Sequence, residues 1–336
     1  MLDTGINRPV ALLAFSEAYR QQIFGPEEEA ALGRLVTPIS IDLKAGADVL
    51  PADARIILTG WPTPRLTTEI VAALPQLGLV AHAGGSVKSY LPEGGLRSDI
   101  AVSSCAAQNA VPVAEYSLAA ILFANKRILE MARTYADIRQ GRKAVLGRSG
   151  ILGNYRRMVG LVGASTIGRL VAKMLQPFDL DVIVADPFLT EPDAHDMGVT
   201  KVTLDHLFES ADTVSLHAPL LPETEHMIDA RLINSMRPGA TLINTARGAL
   251  VDERALIAAL QRGHIHAIID TTWPEVPAAD SPLWNLPNLL LTPHIAGSGS
   301  IELWRHGAAM IDAIEAFLAG APIPGRVPLD QLDRLA

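Results

Sequence analysis

The sequence predicts an α/β protein built around two parallel sheets. Short apolar runs alternate with stretches of helical periodicity along almost the whole chain, which is the pattern of βαβ units. The alternation occurs in two series, separated by a long helical stretch and a basic, glycine-containing segment. A glycine turn between a strand and a helix opens the second series. These observations favour two doubly wound domains, for which 336 residues are long enough.

The first series contains three apolar runs that predict buried strands. They are VALLAF (10–15), RIILTG (55–60) and LGLVAH (77–82). The stretches between these runs include EEEAALGRL and TTEIVAAL, whose apolar residues recur with helical spacing and therefore predict helices.

A helical pattern without proline runs from Val113 to about Arg139, and Pro112 suits its first turn. The stretch from Arg139 to Arg157 carries six Lys or Arg residues and predicts a solvated arm or linker face. The whole chain has 28 basic and 36 acidic residues, a formal net charge of −8. That balance argues against a nucleic-acid-binding protein.

The second series contains six runs that predict strands and three clear helices. The strands are MVGLVG (158–163), DVIVAD (181–186), TVSLHA (213–218), ATLINTA (240–246), HAIID (266–270) and NLLLT (288–292). The helices cover 167–176, 252–262 and about 299–319. No strand follows the last helix. Packing of this helix on the first series would make the first domain discontinuous.

Cysteine usage and the N-terminal sequence indicate a cytoplasmic protein. Cys105 is the single cysteine, so no intrachain disulfide is expected, and a small buried core residue explains it better than a catalytic thiol. MLDTGINRP carries an acid and a proline before the first apolar run, which does not suit a signal peptide. No run of 18 apolar residues predicts a membrane span.

The stretch VGLVGASTIGRL (159–170) predicts a dinucleotide-binding loop. Gly163 permits a tight turn, Ser165 is small enough for a pyrophosphate to approach, and Gly168 lets helix and strand close together. The Ser165 hydroxyl can also donate to phosphate, and Thr166 and Ile167 begin the helix whose N-terminus attracts anions.

Asp186, 23 residues after Gly163, ends the next predicted strand. An acid there can accept hydrogen bonds from ribose hydroxyls and disfavours a 2′-phosphate, which predicts NAD rather than NADP. The alternative for this region is an ordinary tight turn with an aspartate that caps a helix.

Five stretches of the chain resemble one enzyme family. They are NAVPVAEYSLA (109–119), the loop just described, VSLHAPLLPETEHMID (214–229), LINTARGALVDERAL (242–256) and NLLLTPHIAG (288–297). Together they resemble the D-isomer-specific 2-hydroxyacid dehydrogenase family, most densely from about 79 to 320.

The resemblance implies an architecture. A Rossmann cofactor domain at 106–296 would be inserted into a flavodoxin-like substrate domain formed by 1–105 and 297–336. The resemblance also implies a homodimer, with the helix and arm at 110–157 in the interface.

The resemblance further implies a reaction and its residues. The family transfers a hydride between NAD(H) and C2 of a small 2-keto or 2-hydroxy acid. His294 matches the acid/base of the family, and Arg247 matches the residue that binds the substrate carboxylate and carbonyl. Asp270 matches the acid that accepts from the nicotinamide carboxamide. Further cofactor contacts are implied at His217, Pro219, Thr224, Thr245, Ala246 and Gly297, and no metal is expected.

The substrate carboxylate is expected at the glycine turn HAGGSVK (82–88), on Gly84, Gly85 and Ser86. Ser86 replaces a usual glycine of the family, and Lys88 replaces a usual Asp. Lys88 is either solvated or a selector of more anionic substrates. Glyoxylate, hydroxypyruvate, pyruvate, 3-phosphoglycerate and bulkier keto acids all suit such a site.

Trp273 departs from the family pattern as we align it. A Glu that hydrogen-bonds the histidine is expected three residues after Asp270, where Trp273 stands. Pro274 and Glu275 continue the pattern, so the alignment predicts that no acid reaches His294.

Three functions follow from that prediction. The chain is a reductase that works best at unusually low pH, or an NAD-binding sensor or corepressor-like module with weak or lost catalysis. The third alternative is an enzyme whose substrate relays the proton itself. Intact Arg247 and His294 favour the reductase.

Overall fold

The computed structural model describes residues 8–146 and 152–334 of the chain. The chain divides into two compact units, one formed by 1–109 with 298–336 and the other by 110–297. Each unit contains one parallel sheet, so the predicted fold class of two doubly wound α/β units is confirmed.

The strands are as follows. The first unit contains β1 (Val10–Leu13), β2 (Thr37–Ser40), β3 (Ile56–Gly60), β4 (Leu79–Ala83) and β5 (Ala101–Ser104). The second unit contains β6 (Arg157–Val162), β7 (Leu180–Ala185), β8 (Thr200–Lys201), β9 (Thr213–Leu216), β10 (Thr241–Asn244), β11 (His266–Ile269) and β12 (Leu289–Leu291).

The α-helices are α1 (Glu17–Ile23), α2 (Pro26–Leu35), α3 (Thr68–Ala72), α4 (Ala106–Asn125), α5 (Ile128–Ile138), α6 (Arg142–Leu146), α7 (Thr166–Leu175), α8 (Glu191–Asp196), α9 (Leu204–Ser210), α10 (Ala230–Ser235), α11 (Glu253–Gln261) and α12 (Trp304–Ala319). A 3-10 turn, Ser300–Leu303, leads into α12.

The first unit has the strand order β2-β1-β3-β4-β5, the flavodoxin-like order. Its central strands are apolar on both faces, as a parallel sheet covered on both sides requires. One face packs against α3, which contributes the buried Ile70 and Val71. The other face packs against α1, α2 and α12, which contribute Ile23, Leu32 and Ile314. The last helix therefore completes the core of the unit that begins the chain.

The second unit has the strand order β12-β11-β10-β9-β6-β7-β8. The order reverses between β6 and β9, because the chain first builds outwards from β6 to β8 and then returns to the other side of β6. In open α/β sheets, ligands bind beside such a reversal, at the carboxyl ends of the strands. The sheet therefore directs attention to the segments that follow β6, β9, β10, β11 and β12.

The prediction of one uninterrupted helix from Val113 to about Arg139 is wrong at its start and in the middle, whereas its end is within one residue of the end of α5. Helix α4 begins at Ala106, so Pro112 lies inside it and removes one backbone donor. Helix α4 ends before Arg127, which adopts a left-handed φ of 50°, and a separate α5 follows. The basic arm continues as α6, and residues 147–151 of that arm lie outside the described residues.

Cys105 is buried in the first unit, as predicted for a core residue. Burial raises the pKa of its thiol to about 12, so the reactive thiolate is disfavoured. Among the helices that the structure describes, none combines the length and the apolarity needed to cross a bilayer.

Three histidines are buried deeply enough to remain neutral. Burial lowers the pKa of His82, His217 and His306 from 6.5 to about 4. An unfolded chain takes up these protons as the pH falls through 6.5, whereas the folded protein resists until about 4. Stability from these groups is thus complete above pH 6.5 and is lost progressively as the pH falls towards 4.

We expect the free energy of unfolding to decrease between pH 7 and pH 5, by up to about 1.4 kcal/mol per pH unit for each histidine. His82→Gln should reduce the slope of this decrease by the contribution of about one proton, up to about 1.4 kcal/mol per pH unit. Urea unfolding across the pH range measures the slope. His195→Gln is the matched control because His195 is exposed. Equal pH dependence in His82→Gln and the wild type would contradict the prediction.

Candidate active site

The turn after β6 has the geometry of a phosphate loop. Gly163 has a φ of 100°, and a Cβ there would lie 2.8 Å from the backbone N of Ala218. A Cβ on Gly168 would lie 2.1 Å from the carbonyl oxygen of Gly163. Neither position accepts a side chain, so the strand, the turn and α7 pack backbone against backbone. This fits the glycine requirements that the sequence predicts.

Ser165 caps α7, and its hydroxyl is already used within the protein. Its Oγ donates to the carbonyl of His217 at 2.8 Å and accepts from the N–H of Gly168 at 3.3 Å. Its one proton goes to His217, so donation to a phosphate would require the hydroxyl to turn away from this carbonyl. The N–H groups of Thr166 and Ile167, in the first turn of α7, have no helical acceptor and can face an anion instead.

Asp186 follows β7 and faces the glycine turn. Its two carboxylate oxygens accept from the N–H groups of Ala164 and Phe188, each at 2.7 Å. Each oxygen retains a further lone pair for a hydroxyl donor. The carboxylate therefore shapes the turn and keeps capacity to accept from a ribose.

The segment after β9 also borders this turn. His217 is buried, and its Nε2 has no hydrogen-bond partner. Thr224 donates its hydroxyl proton to the carbonyl of Pro219 and accepts from the N–H of Leu221, both at 2.7 Å. Thr224 and Pro219 thus fix the shape of this segment.

Arg247 follows β10 on a short loop that Asn244 holds in place. The amide of Asn244 donates to the carbonyl of Arg247 at 2.9 Å and accepts from the N–H of Ala246 at 3.0 Å. The hydroxyl of Thr245 lies 3.1 Å from that of Ser117 on α4. The sequence analysis assigned no role to Asn244, the first residue of NTARG. An Asn side chain often forms hydrogen bonds to backbone groups of the residues that follow it.

Arg247 is exposed, yet the surrounding protein still desolvates its guanidinium. Desolvation lowers the pKa of Arg247 from its ordinary 12.5, and the nearby charge of Glu275 opposes this effect. A guanidinium stays charged under such a shift. Arg247 and Glu275 are therefore close enough to interact electrostatically.

Asp270, which follows β11, is buried and accepts hydrogen bonds from the segment after β12. Its Oδ1 accepts from the hydroxyl of Thr292 at 2.5 Å and from the N–H of Ile295 at 2.9 Å. Its Oδ2 accepts from the N–H of Ala296 at 2.9 Å. The carboxylate thus organises the turn that contains His294 and ends at Gly297.

His294 adopts a left-handed φ of 55°, which is unusual for a residue other than glycine. Its N–H donates to the backbone carbonyl of Asp270 at 2.9 Å. The conformation is therefore held by the strand end next to it, and the imidazole remains partly exposed.

The acid partner of His294 is Glu275. Its Oε1 lies 2.7 Å from Nδ1 of His294. The expectation that no acid reaches the histidine is wrong. The Thr272 hydroxyl bonds to the carbonyls of Pro274 and Glu275, at 2.8 and 2.9 Å, and so turns the chain at this point. This turn directs Glu275 to the histidine and leaves Trp273 65% exposed.

The loops of Arg247 and Glu275 touch through their backbones. A Cβ on Gly248 would lie 2.1 Å from the carbonyl carbon of Thr272 and 2.5 Å from the N of Trp273. Gly248 therefore fixes the distance between the arginine loop and the acid loop. Sequence reasoning did not assign a role to this glycine.

The glycine turn of the first unit follows β4. The Gly84 carbonyl accepts from the N–H of Cys105 at 2.9 Å. A Cβ on Gly84 would lie 2.5 Å from Nε2 of His82 and 2.7 Å from Nε1 of Trp61. Gly85 and Ser86 are only partly buried, and Lys88 is exposed.

No group of three or more metal-binding side chains forms within residues 8–146 and 152–334.

We expect Gly248→Ala to reduce the free energy of unfolding by about 1–3 kcal/mol, because backbone atoms of the neighbouring loop would have to move. Gly33→Ala is the matched control, since a Cβ on Gly33 meets nothing within 4 Å inside α2. The control should be neutral or stabilising by up to about 1 kcal/mol. Urea unfolding measures both, and an unchanged stability in Gly248→Ala would contradict the packing described.

Comparison with known proteins identifies the family of this chain. A sequence model of the D-isomer specific 2-hydroxyacid dehydrogenase NAD binding domain matches residues 118–296. The (S)-sulfolactate dehydrogenase of Chromohalobacter salexigens is 38% identical over 236 residues, which cover 69% of this chain and 75% of that protein. The D-3-phosphoglycerate dehydrogenase of Mycobacterium leprae is 32% identical over 307 residues, covering 90% of this chain. The match covers 56% of that relative, so this chain spans little more than half its length.

A solved structure has the same fold over nearly the whole chain. It is a D-isomer specific 2-hydroxyacid dehydrogenase from Xanthobacter autotrophicus Py2 in complex with NADPH and MES. The TM-score is 0.75 at 25% identity, and the match covers 97% of this chain and 100% of that one. The family match spans more than half of the sequence and includes the glycine turn and the residues after β10, β11 and β12. This chain therefore belongs to the D-isomer-specific 2-hydroxyacid dehydrogenase family, and its second unit contains the domain by which that family binds its nicotinamide cofactor.

Proposed function

We propose that this protein is an NAD(H)-dependent D-2-hydroxyacid dehydrogenase that reduces small 2-keto acids, or runs the reverse reaction. The observation that carries the proposal is the 2.7 Å contact between Glu275 and Nδ1 of His294. Glu275 also acts electrostatically on Arg247, so an acid/base pair and a guanidinium lie together in one unit. These are the groups that reduction of a 2-keto acid requires.

Each of the three side chains has a separate task in the proposed reaction. When bound, a reduced nicotinamide would supply the hydride for C2 of the substrate. Arg247 binds the carboxylate and polarises the carbonyl with its planar donors. His294 gives a proton to the C2 oxygen from Nε2, because Nδ1 is engaged by Glu275. Glu275 holds the imidazole in the tautomer and orientation that this transfer needs.

The residues around the glycine turn suit a dinucleotide. Gly163 and Gly168 would let the pyrophosphate approach the N-terminus of α7, and Asp186 would accept from the adenosine ribose. The segments with His217, Pro219, Thr224, Thr245, Ala246 and Gly297 would line the remainder of the cofactor. Asp270 keeps a lone pair on Oδ2 for the carboxamide, since that oxygen accepts one N–H in the protein. In the first unit, Gly84, Gly85 and Ser86 would bind the substrate carboxylate.

The relatives suggest a substrate class without selecting one member. The similar proteins from Chromohalobacter salexigens and Mycobacterium leprae are named for sulfolactate and for phosphoglycerate. Both are 2-hydroxy acids with a second anionic group. We include 2-keto acids with a sulfonate or phosphate among the proposed substrates, and the exposed Lys88 would suit such a group.

The sensor or corepressor-like alternative loses its main support. It followed from the apparent absence of an acid beside His294, and Glu275 supplies that acid. For the same reason, an unusually low working pH and a proton relay by the substrate are no longer needed to explain catalysis.

A homodimer through residues 110–157 is also part of the proposal. Helices α4 and α5 expose large apolar side chains, among them Phe123, Ile128, Leu129 and Tyr135. Exposed apolar residues on one pair of helices favour a partner surface. A mass in solution twice that of one chain would support it. A reducing, cytoplasmic compartment fits the single buried cysteine.

We expect NADH oxidation with at least one 2-keto acid and a strong dependence on the acid/base pair. His294→Gln should lower kcat by about 10²- to 10⁴-fold, the usual contribution of general acid catalysis. Glu275→Gln should lower kcat by about ten- to a hundredfold, because a charge-assisted hydrogen bond is lost. Initial rates with keto acids of different size and charge measure these effects.

Trp273→Ala is the matched control for Glu275→Gln, because Trp273 and the Glu275 side chain are 65% and 62% exposed. Its kcat should stay within about twofold of wild type. A large loss in Trp273→Ala beside a small loss in Glu275→Gln would contradict the assignment. NADH binding without turnover on any keto acid would count against the proposed function as a whole.

We expect Asp186 to make the enzyme prefer NADH to NADPH. Asp186→Ser should raise the KM for NADH and reduce the NADH preference by about tenfold or more, since charged hydrogen bonds to the ribose are lost and the 2′-phosphate is no longer repelled. Asp181→Ser is the control, because Asp181 lies exposed at the other end of β7. An unchanged ratio of kcat/KM for the two cofactors would exclude this role.

A further inference from the structure

A chain of hydrogen bonds leads from helix α4 to the turn of His294. The hydroxyl of Tyr116 lies 2.8 Å from Oγ1 of Thr292. The hydroxyl of Thr292 in turn donates to Oδ1 of Asp270 at 2.5 Å. The same carboxylate accepts the N–H groups of Ile295 and Ala296, the two residues that follow His294.

The donors in this chain have a fixed direction. The Asp270 carboxylate can only accept, so Thr292 gives it the hydroxyl proton and has only lone pairs left for Tyr116. Tyr116 must therefore be the donor to Thr292. Burial raises the pKa of Tyr116, and the charge of Asp270 adds to that rise while the bond to Thr292 opposes it. Tyr116 thus keeps the proton that it donates.

The turn at the end of this chain needs such support. His294 has a left-handed φ of 55°, a conformation that costs free energy for a residue with a Cβ. The turn persists only if its surroundings determine it, and Asp270 provides four acceptor contacts: three on its carboxylate and one on its backbone carbonyl. A rotation of the carboxylate would weaken the bonds to Ile295 and Ala296 together. Thr292 sets that rotation, and Tyr116 sets the orientation of the Thr292 hydroxyl.

We propose that Tyr116 is a positioning residue for His294, acting through Thr292 and Asp270 to hold the left-handed turn that presents the imidazole. Tyr116 would touch neither substrate nor cofactor. This inference rests on the proposed function for its effect on catalysis, whereas its effect on the turn is independent of activity.

The test removes single hydroxyl groups from the chain of bonds. Tyr116→Phe keeps the ring and deletes the donor, and Thr292→Val deletes the middle hydroxyl. Hydrogen exchange of the Ile295 and Ala296 amides should become about three- to tenfold faster in each variant, the expected effect of one lost neutral hydrogen bond. Thr200→Val, which deletes an exposed hydroxyl of β8 in the same unit, should leave exchange and rates unchanged. Thr292→Ser, which retains a hydroxyl, should keep exchange as slow as in the wild type.

The kinetic arm separates positioning from a general loss of structure. In Tyr116→Phe, kcat for keto-acid reduction should fall by about three- to tenfold while the KM for NADH stays the same. Tyr116→Phe should have no further effect in the Thr292→Val background, because both changes break the same chain. Additive losses in the double variant, or wild-type exchange in Tyr116→Phe, would overturn the inference.

The two proposals fail in distinguishable ways. If the wild-type protein reduces no keto acid, the proposed function fails, and the exchange of the Ile295 and Ala296 amides still decides whether Tyr116 holds the turn. If the wild-type protein is active and Tyr116→Phe matches it in both exchange and kcat, the positioning role alone fails.

Discussion

The buried carboxylate of Asp270 is the constraint on which the candidate site depends. At 2% exposure it has almost no contact with water, so it must be hydrogen-bonded within the protein. All three donors to it come from the segment Thr292–Ala296, which contains His294. If His294 left its left-handed turn, the buried carboxylate of Asp270 would lose hydrogen-bond donors. A single desolvated group therefore fixes the position of the residue that would move the proton.

Close backbone packing extends this constraint to the other two side chains. Gly248, next to Arg247, lies so near the Thr272–Trp273 peptide that no Cβ fits between them. Thr272 then turns the chain so that Glu275 reaches His294. Gly248 joins the loop after β10 to the loop after β11, and the Thr272 hydroxyl shapes the loop after β11. The Asp270 carboxylate joins that loop to the one after β12. This explains how three loops at the edge of a parallel sheet hold a common geometry.

The sequence was sufficient for the fold class because parallel strands buried on both faces read as continuous apolar runs. Each of the nine predicted strands appears in the structure within a few residues of its predicted ends. The strands that were not predicted lack this signal. Thr37–Ser40 contains a proline and is mostly exposed, Ala101–Ser104 is short and ends in two serines, and Thr200–Lys201 has two residues. Pro112 was predicted to lie in the first turn of a helix, but it lies inside α4, because the helix continues across it.

The site could be predicted only where chemistry follows directly from position along a strand. Arg247, Asp270 and His294 come just after strands, and the structure places them at the carboxyl edge of one sheet. The acid partner of His294 was missed because its identity depends on how the loop after Asp270 turns. An alignment by residue number assumes the direction of the segment after Asp270. In the structure, two hydrogen bonds of the Thr272 hydroxyl determine that direction.

The difference in burial between Asp270 and its neighbours separates two kinds of contribution. Asp270 has nearly all of its acceptor capacity occupied by the protein, whereas Arg247, Glu275 and His294 are exposed and keep unused hydrogen-bonding positions. The three bonded positions of Asp270 hold the geometry of the turn, because a ligand would have to displace their partners at a desolvation cost, and one position on Oδ2 stays available for the proposed carboxamide contact. Groups with spare donors or acceptors can exchange them with a substrate at little cost. In the proposed reaction, the buried carboxylate and its partners would therefore support the geometry, and the three exposed side chains that they hold in place would take part in the chemistry.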